Sequence, residues 1–275
     1  MSTIRVESAR DPRLVAYRDA ARPKELAARG VFVAESRLVV ERVLADRRYR
    51  IESLLSSAAA HRALAPALVL AEPDFPVYLA PASVFEELTG HDFHRGCLCI
   101  VQRPAACSLG DVVEGARTLL VLEGVANPDN VGAVFRSAAA FGADAILLGP
   151  GSGDPLYRKA IRTSMASTLR VPFARFSETG PPWLEELARL RDRGIELVAL
   201  TPREPALELD EYRARRGARP IALLVGEEGA GLSEPVLELA DCRVRIAIRS
   251  EVDSLNLAVA AGIALERLTA DRRAR

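Results

Sequence analysis

Two polar side chains interrupt an apolar stretch in the middle of the chain. Residues 127–150 read NPDNVGAVFRSAAAFGADAILLGP, which predicts a loop, a helix and a buried strand. We expect Asn130 to cap a helix that begins near Val131. The apolar residues of that helix recur at helical spacing and predict a buried stripe: Val131, Val134, Phe135, Ala138 and Phe141. Arg136 leaves this stripe by about 100°. It either pairs with a nearby carboxylate at the surface or stabilises charge that develops on a substrate oxygen.

Three loops in the second half of the chain have unusual compositions for simple connections. They read EGVANPDNVGA, GEEGAGLSE (226–234) and RSEVDSLN (249–256), and each follows an apolar run. Near-continuous apolar runs are typical of parallel strands buried on both faces, and the candidates are 118–125, 145–149, 195–201, 221–226 and 243–248. Open α/β sheets bind ligands at the carboxyl ends of their strands, so we expect a site at these loops.

Motifs of several other enzyme classes are absent. No GxGxxG follows the first strong strand, which disfavours a dinucleotide-binding site, and the sequence has neither a P-loop nor a GxSxG motif. The three histidines, His61, His91 and His94, all lie in the first part of the chain. The four cysteines, Cys97, Cys99, Cys107 and Cys242, lack the spacing of a metal site, so we expect reduced thiols and no metal.

The three loops together resemble the motifs of the SpoU/TrmH branch of the SPOUT RNA methyltransferases. The first motif, NxGxxxR[ST]A, matches NVGAVFRSA from Asn130, and the second, GxEGxG[LI]S, matches GEEGAGLS from Gly226. The third motif, SLN, matches Ser254 to Asn256. The motifs occur in order across about residues 116–270, and this combination is far more specific than any one of them.

The resemblance implies an S-adenosylmethionine-dependent transfer of a methyl group to a ribose 2′-hydroxyl of RNA. Ribosomal RNA is the expected substrate, with transfer RNA as the runner-up. The matching positions imply the following catalytic residues: Asn130, Arg136, Glu228, Ser254 and Asn256. They also imply a donor pocket formed by Gly226, Gly229, Ile246 and Leu255. The resemblance further implies a trefoil-knotted α/β domain and a homodimer.

The residues themselves leave other interpretations open. Glu228 could be an acid at a helix start, Ser254 could be the N-cap of the last helix, and Asn256 could be a polar residue in its first turn. The chain also departs from the family pattern at three places. Asn127 stands where the family usually has aspartate, Glu227 adds an acid, and IAI at 246–248 replaces IPM.

A smaller α/β unit is expected to precede the methyltransferase domain. Strand candidates such as VFVAE (31–35) alternate with helical patterns up to about residue 104, and the stretches FVAESRLVVERVL and HRGCLCIV resemble an L30e-like substrate-binding domain. We therefore expect an L30e-like RNA-binding domain over 1–104, a linker over 105–115 and a SPOUT domain over 116–275.

Composition sets limits on partners and location. The formal net charge is +0, which argues against a strongly basic nucleic-acid binder, but residues 1–50 carry 12 basic and 7 acidic side chains. This local excess is either a solvated helical face or a surface for phosphates. No apolar run approaches the roughly 18 residues of a membrane span, and the start lacks the apolar segment of a signal peptide. We expect a cytoplasmic protein with no membrane partner.

Two other classes compete with an active methyltransferase. One is an RNA-binding module whose methyltransferase site is silent, which the intact motif residues disfavour. The other is a nucleotide-dependent α/β enzyme such as a dehydrogenase, which the missing glycine fingerprint disfavours.

Overall fold

The computed structural model describes residues 3–18, 20, 22–71, 74–89, 96–177, 182–249, 251–252 and 254–273, with the side chains of 271–273 left aside. The chain divides into two compact units. Unit 1 contains residues 1–105 and 156–166, and unit 2 contains residues 106–155 and 167–275. His91 and His94 lie outside the described residues, and His94 is the first residue of the HRGCLCIV stretch.

The first 105 residues alternate between short strands and helices. Their elements are β1 (Thr3–Arg5), α1 (Val15–Arg18), α2 (Pro23–Ala28), β2 (Val31–Glu35), α3 (Arg37–Ala45), β3 (Ile51–Ser56), α4 (Ala58–Ala71), β4 (Val77–Leu79), α5 (Ala82–Thr89) and β5 (Cys97–Gln102). A 3-10 turn at Pro12–Leu14 precedes α1. Among the described residues, five strands form one mixed sheet in the order β1-β4-β3-β5-β2. Its assignment as an L30e-like domain stays a prediction.

The rest of the chain continues the alternation with more deeply buried strands. Its elements are α6 (Leu109–Val113), β6 (Thr118–Leu122), α7 (Pro128–Phe141), β7 (Ala145–Leu148), α8 (Arg158–Thr163), β8 (Phe173–Arg175), α9 (Trp183–Asp192), β9 (Glu196–Leu200), β10 (Leu207–Glu208), α10 (Leu209–Arg215), β11 (Ile221–Val225), α11 (Glu234–Leu239), β12 (Cys242–Arg245) and α12 (Leu257–Arg273). A 3-10 turn spans Ser167–Leu169. The five strands predicted from apolar runs are confirmed, and β8 and β10 are additional.

The sheet of unit 2 is parallel, as predicted. Within the described ranges it has seven strands in the order β10-β12-β9-β11-β6-β7-β8, and each pairing is parallel. Alternate strand residues such as Leu119 and Val121 pack with buried side chains of α6, α9 and α11 on one face. The carboxyl ends of β6, β9, β11 and β12 therefore meet at one edge. The trefoil knot stays a prediction.

Two segments differ from the predicted domain bounds. Residues 105–115, expected to be a linker, include α6, whose Ser108 and Asp111 form a capping box and whose Val113 is buried in the core of unit 2. Residues 156–166, expected in the SPOUT domain, belong to unit 1. There, Arg158 of α8 lies 3.3 Å from the buried carboxylate of Glu35, and Arg162 lies 3.9 Å from it.

The start of α7 corrects the expected helix cap. The Asn127 Oδ1 accepts the Asp129 N–H at 2.9 Å, and Pro128 is the first helical residue. Asn127 is therefore the N-cap, and the assignment of that role to Asn130 was wrong. The predicted stripe is buried except at Phe141, which is half-buried, and Arg136 is exposed. Asn130 is itself buried inside the first turns of the helix, which leaves its side chain available for a different role.

Candidate functional site

A cavity of about 410 Å³ opens at the carboxyl ends of β9, β11 and β12 in unit 2. Its lining contains seven of the nine predicted site residues: Gly226, Glu228, Gly229, Ile246, Ser254, Leu255 and Asn256. The second and third motifs thus meet at one site. Asn130 and Arg136 lie outside this lining.

Asn256 connects all three motifs through its side-chain amide. Its Nδ2 donates to Glu228 Oε1 at 2.6 Å and to Asn130 Oδ1 at 3.2 Å. Its Oδ1 accepts the N–H groups of Ala258 and Val259 at 3.0 and 3.2 Å. These backbone donors require an acceptor on one side of the amide, and the Glu228 carboxylate requires a donor on the other. The orientation of the amide is therefore fixed.

The same contacts decide between the earlier interpretations. Asn256, rather than Ser254, caps α12, since its side chain satisfies the first free amides of that helix. Glu228 lies in the loop before α11 begins at Glu234, so it is not an acid at a helix start. Ser254 is exposed at the cavity. The roles of these residues in a reaction stay predictions.

Arg136 stands apart from this network. It follows Asn130 by six positions on α7, which separates the two side chains by about 9 Å along the axis and by about 120° around it. In the part of the chain that the structure describes, its exposed guanidinium has no hydrogen-bond or ion-pair partner. The described residues therefore supply no carboxylate partner of the kind the alternative interpretation requires, and the role of Arg136 stays a prediction. Its helix packs against α12, where a Cβ added to Gly262 would lie 3.2 Å from Ser137 Oγ.

The glycine loop after β11 folds back on itself. A Cβ added to Gly226 would lie 2.1 Å from the carbonyl carbon of Gly231, and Glu227 bridges to Gly231. Gly229 has a φ of +93°, which favours glycine, although the space around it is open. Gly226 is therefore required by the packing of the loop backbone, and Gly229 by its backbone conformation.

Other cavity residues carry no family motif and were missed in the sequence. They come mainly from the end of β9 and the segment after it, and from positions beside the motifs: Leu200, Thr201, Pro202, Arg203, Ile248, Leu257 and Ala260. The signal that could have identified the first four is their place at the carboxyl end of a buried parallel strand. In the third loop, the pKa of the exposed Glu251 is lowered by a hydrogen bond from its own backbone N–H and by Arg249.

The donor set of the cavity fits S-adenosylmethionine. Ile246, Leu255 and Leu200 supply apolar walls, and the glycine loop presents backbone groups, as pockets for small ligands with a flat ring require. Glu228 supplies a negative charge beside the cavity, which suits a sulfonium cation. Among the described residues, no cluster of histidine, cysteine and acidic side chains could hold a metal ion.

Comparisons with known proteins agree with this geometry. Residues 117–266 match the SpoU rRNA Methylase family. A Mycobacterium bovis protein described as an uncharacterized tRNA/rRNA methyltransferase is 41% identical over 259 residues, which are 92% of this chain and 87% of the relative. Over the described ranges, no helix has the length and hydropathy needed to cross a membrane.

Solved structures match over nearly the whole chain. An AdoMet-bound rRNA methyltransferase from Sinorhizobium meliloti is 26% identical with a TM-score of 0.81, and the match covers 98% of each chain. A structure described as an RNA 2′-O ribose methyltransferase is 28% identical with a TM-score of 0.79, and it covers 98% of this chain and 100% of that one.

The fold, the three motifs and these matches define an RNA methyltransferase of the SPOUT class. The chain belongs to the SpoU rRNA methylase family, within the SpoU/TrmH branch, and its methyl donor is S-adenosylmethionine. The resemblance drawn from the sequence is confirmed.

Proposed function

We propose that the protein methylates the 2′-hydroxyl of a ribose in ribosomal RNA. The observation that carries this proposal is the Asn130–Asn256–Glu228 network at the cavity, with the exposed Arg136 on the helix of Asn130. The similarity to an RNA 2′-O ribose methyltransferase supports ribose as the acceptor, and the similarity to an rRNA methyltransferase supports ribosomal RNA.

The bound donor supplies an electrophilic methyl group. A 2′-hydroxyl is a weak nucleophile until its proton leaves or its developing negative charge is stabilised. Arg136 remains protonated, so it is a poor general base. We assign it the binding of a flanking phosphate and the stabilisation of the 2′-oxyanion, while Ser254 or a water helps the proton leave to bulk solvent. The Asn256 network holds Glu228 and the start of α12 in place.

Replacement of Arg136 tests this assignment. Arg136→Ala should abolish methyl transfer and leave the affinity for S-adenosylmethionine almost unchanged. Arg136→Lys should restore little, because an ammonium group lacks the planar donor fork of guanidinium. The measurements are tritiated methyl transfer to RNA and calorimetry with the donor. Near-normal turnover by a folded Arg136→Ala protein would show that Arg136 has no role in methyl transfer.

The site of methylation distinguishes ribose from base. A 2′-O-methyl group blocks alkaline cleavage of the adjacent phosphodiester, whereas a methylated base does not. Ribosomal and transfer RNA from cells that lack the gene should be compared as substrates. We expect an alkali-resistant dinucleotide in ribosomal RNA. An alkali-resistant dinucleotide in transfer RNA alone would identify transfer RNA as the substrate instead. A methylated product that alkali cleaves completely would contradict ribose methylation.

Unit 1 is proposed to contribute RNA affinity. Arg47 and Arg50 are exposed and have no described ion-pair partner, whereas Arg13 is paired with Asp11 at 2.6 Å. Arg47→Ala/Arg50→Ala should weaken RNA binding and reduce the slope of log K against log salt by roughly 0.7–0.9 for each phosphate that is no longer neutralised. Arg13→Ala is the matched control and should change the slope less.

The protein is proposed to act as a homodimer. Exposed apolar side chains cluster in sequence around the third motif and the start of α12: Ile248, Val252 and Val259. Such a group favours self-association. Sedimentation should give a dimer at micromolar concentration, and Val259→Asp should shift it toward monomer. A monomeric wild-type protein would contradict this part of the proposal.

A further inference from the structure

The glycine loop of the second motif, Gly226–Ser233, follows the strand β11, which has a neighbouring strand on each side. In the sheet order, β11 has β9 on one side and β6 on the other. The loop that follows β11 lines the donor cavity through most of its length. A loop with three glycines has many accessible backbone conformations, so holding it in one of them has a conformational cost.

Arg203, beyond the end of β9, holds the loop from one side. Its Nη2 donates to the carbonyl oxygen of Ala230 at 2.7 Å, and its Nη1 donates to Glu234 Oε1 at 2.6 Å. Its own backbone N–H donates to Thr201 Oγ1 at 3.1 Å, which fixes the turn from which the side chain extends. The planar guanidinium thus binds the middle of the loop and the first turn of α11 together.

Glu123, directly after β6, holds the loop from the other side. Its Oε2 accepts the Ser233 N–H at 2.9 Å, and its Oε1 accepts the Ser233 hydroxyl at 2.7 Å. Ser233 is the last residue before α11. Both oxygens of a half-buried carboxylate are therefore directed at one residue where the loop ends.

We infer that Glu123 and Arg203 are positioning residues for the methyl donor. Both side chains hold the glycine loop in its binding conformation before the donor binds. A preorganised loop raises affinity because the ordering cost is met in folding and not in binding. Glu123 lies outside the cavity lining and acts through the loop, whereas Arg203 also lines the cavity and can contact the donor directly, so Glu123 carries the test of positioning. This inference rests on the proposed placement of the donor beside Gly226–Ser233.

The test is a graded pair of substitutions in the full chain. Glu123→Ala and Arg203→Ala should each raise the Kd for S-adenosylmethionine at least tenfold, because each variant loses two hydrogen bonds to a charged group and even one such bond corresponds to about tenfold or more. The kcat of Glu123→Ala at saturating donor should stay within about threefold of wild type. Glu123→Gln should restore part of the affinity, since its amide oxygen still accepts one hydrogen bond. Arg203→Lys should also restore part, because an ammonium group reaches one of the two partners.

Arg191→Ala is the matched control. It breaks the 2.9 Å ion pair with Asp241 in the same unit, outside the cavity lining, and should leave the Kd unchanged. Unaltered donor Kd in the folded Glu123→Gln and Arg203→Lys proteins, together with unaltered Kd in whichever alanine variants fold, would overturn the inference. Equal losses of kcat and affinity that follow a lower Tm would also overturn it. Donor binding is measured without RNA, so a failure of ribose methylation would not be confused with either result.

Discussion

The hydrogen bonds of Asn256 allow its helix-capping role to be separated from its bridging role. In an Asn256→Asp protein, one carboxylate oxygen can still accept the Ala258 and Val259 N–H groups, because aspartate is a good N-cap. The donor to Glu228 Oε1 and Asn130 Oδ1 is removed. A second negative charge is also placed beside Glu228. The substitution therefore removes the hydrogen bonds that connect the three motifs and leaves α12 capped.

The size of the effect follows from the two hydrogen bonds that the substitution removes. A hydrogen bond to a charged group contributes about 1.5–3 kcal/mol, and one between neutral groups about 0.5–1.5 kcal/mol. Asn256 and Glu228 are both exposed, which places the charged bond near the low end of its range. Repulsion between two carboxylates about 4 Å apart in water adds about 1 kcal/mol. A total of about 3 kcal/mol corresponds to roughly a 100-fold loss of kcat/KM if the network positions the reacting groups.

Three measurements separate the possible roles of Asn256. They are kcat/KM from tritiated methyl transfer, the donor Kd from calorimetry and the Tm. Asn256→Ser keeps a good cap without a new charge, so the remaining loss of about 2 kcal/mol corresponds to roughly a 30-fold loss of kcat/KM with little change in Tm. Asn256→Ala should also lower the Tm. A folded Asn256→Asp protein with wild-type kcat/KM would refute the reasoning and reduce Asn256 to a helix cap.

Three further predictions concern backbone space, a buried charge and thiol reactivity. Gly226→Ala should prevent stable folding of the loop and donor binding, since its Cβ would meet the Gly231 backbone, whereas Gly229→Ala should cost only about 1–3 kcal/mol of backbone strain in a thermal melt. Glu35→Ala should lower the free energy of unfolding by about 3–5 kcal/mol in urea titrations, because it leaves buried arginine charge uncompensated. Burial raises the pKa of Cys97 to about 12, so at pH 8 this thiol should resist a thiol reagent that modifies the exposed Cys107; equal rates in native protein would contradict this.

The sequence predicted the elements whose signal is local. Five apolar runs became parallel strands in unit 2, because strands buried on both faces leave a continuous apolar signature. The strands it missed, such as β1, β8 and β10, have only two or three residues. Segments of that length have no period that can be recognised, and their pairing partners determine them.

The start of α7 carries a local sequence signal that indicates the correct cap, Asn127, and that the prediction of Asn130 did not use. Asn127 and Asn130 are both suitable N-cap residues, and the choice of Asn130 ignored Pro128, which is favoured at the first helical position. The corrected cap explains why Asn130 is free to accept from Asn256. In contrast, no local pattern could place residues 156–166 in unit 1, because that depends on Arg158 meeting the buried Glu35 far away in sequence.

Because residues 156–166 belong to unit 1, RNA binding and donor binding cannot be separated by simply truncating the chain. A chain beginning near Ala116 would retain Arg158 and Arg162 but remove Glu35, so the buried pair of unit 1 would be broken. It would also remove β2, against which α8 with its buried Ala160 and Ile161 packs. Loss of RNA affinity in such a fragment would follow from misfolding as readily as from the loss of an RNA-binding surface. Surface substitutions in the full chain avoid this ambiguity, because exposed side chains without partners can be removed at little cost in stability.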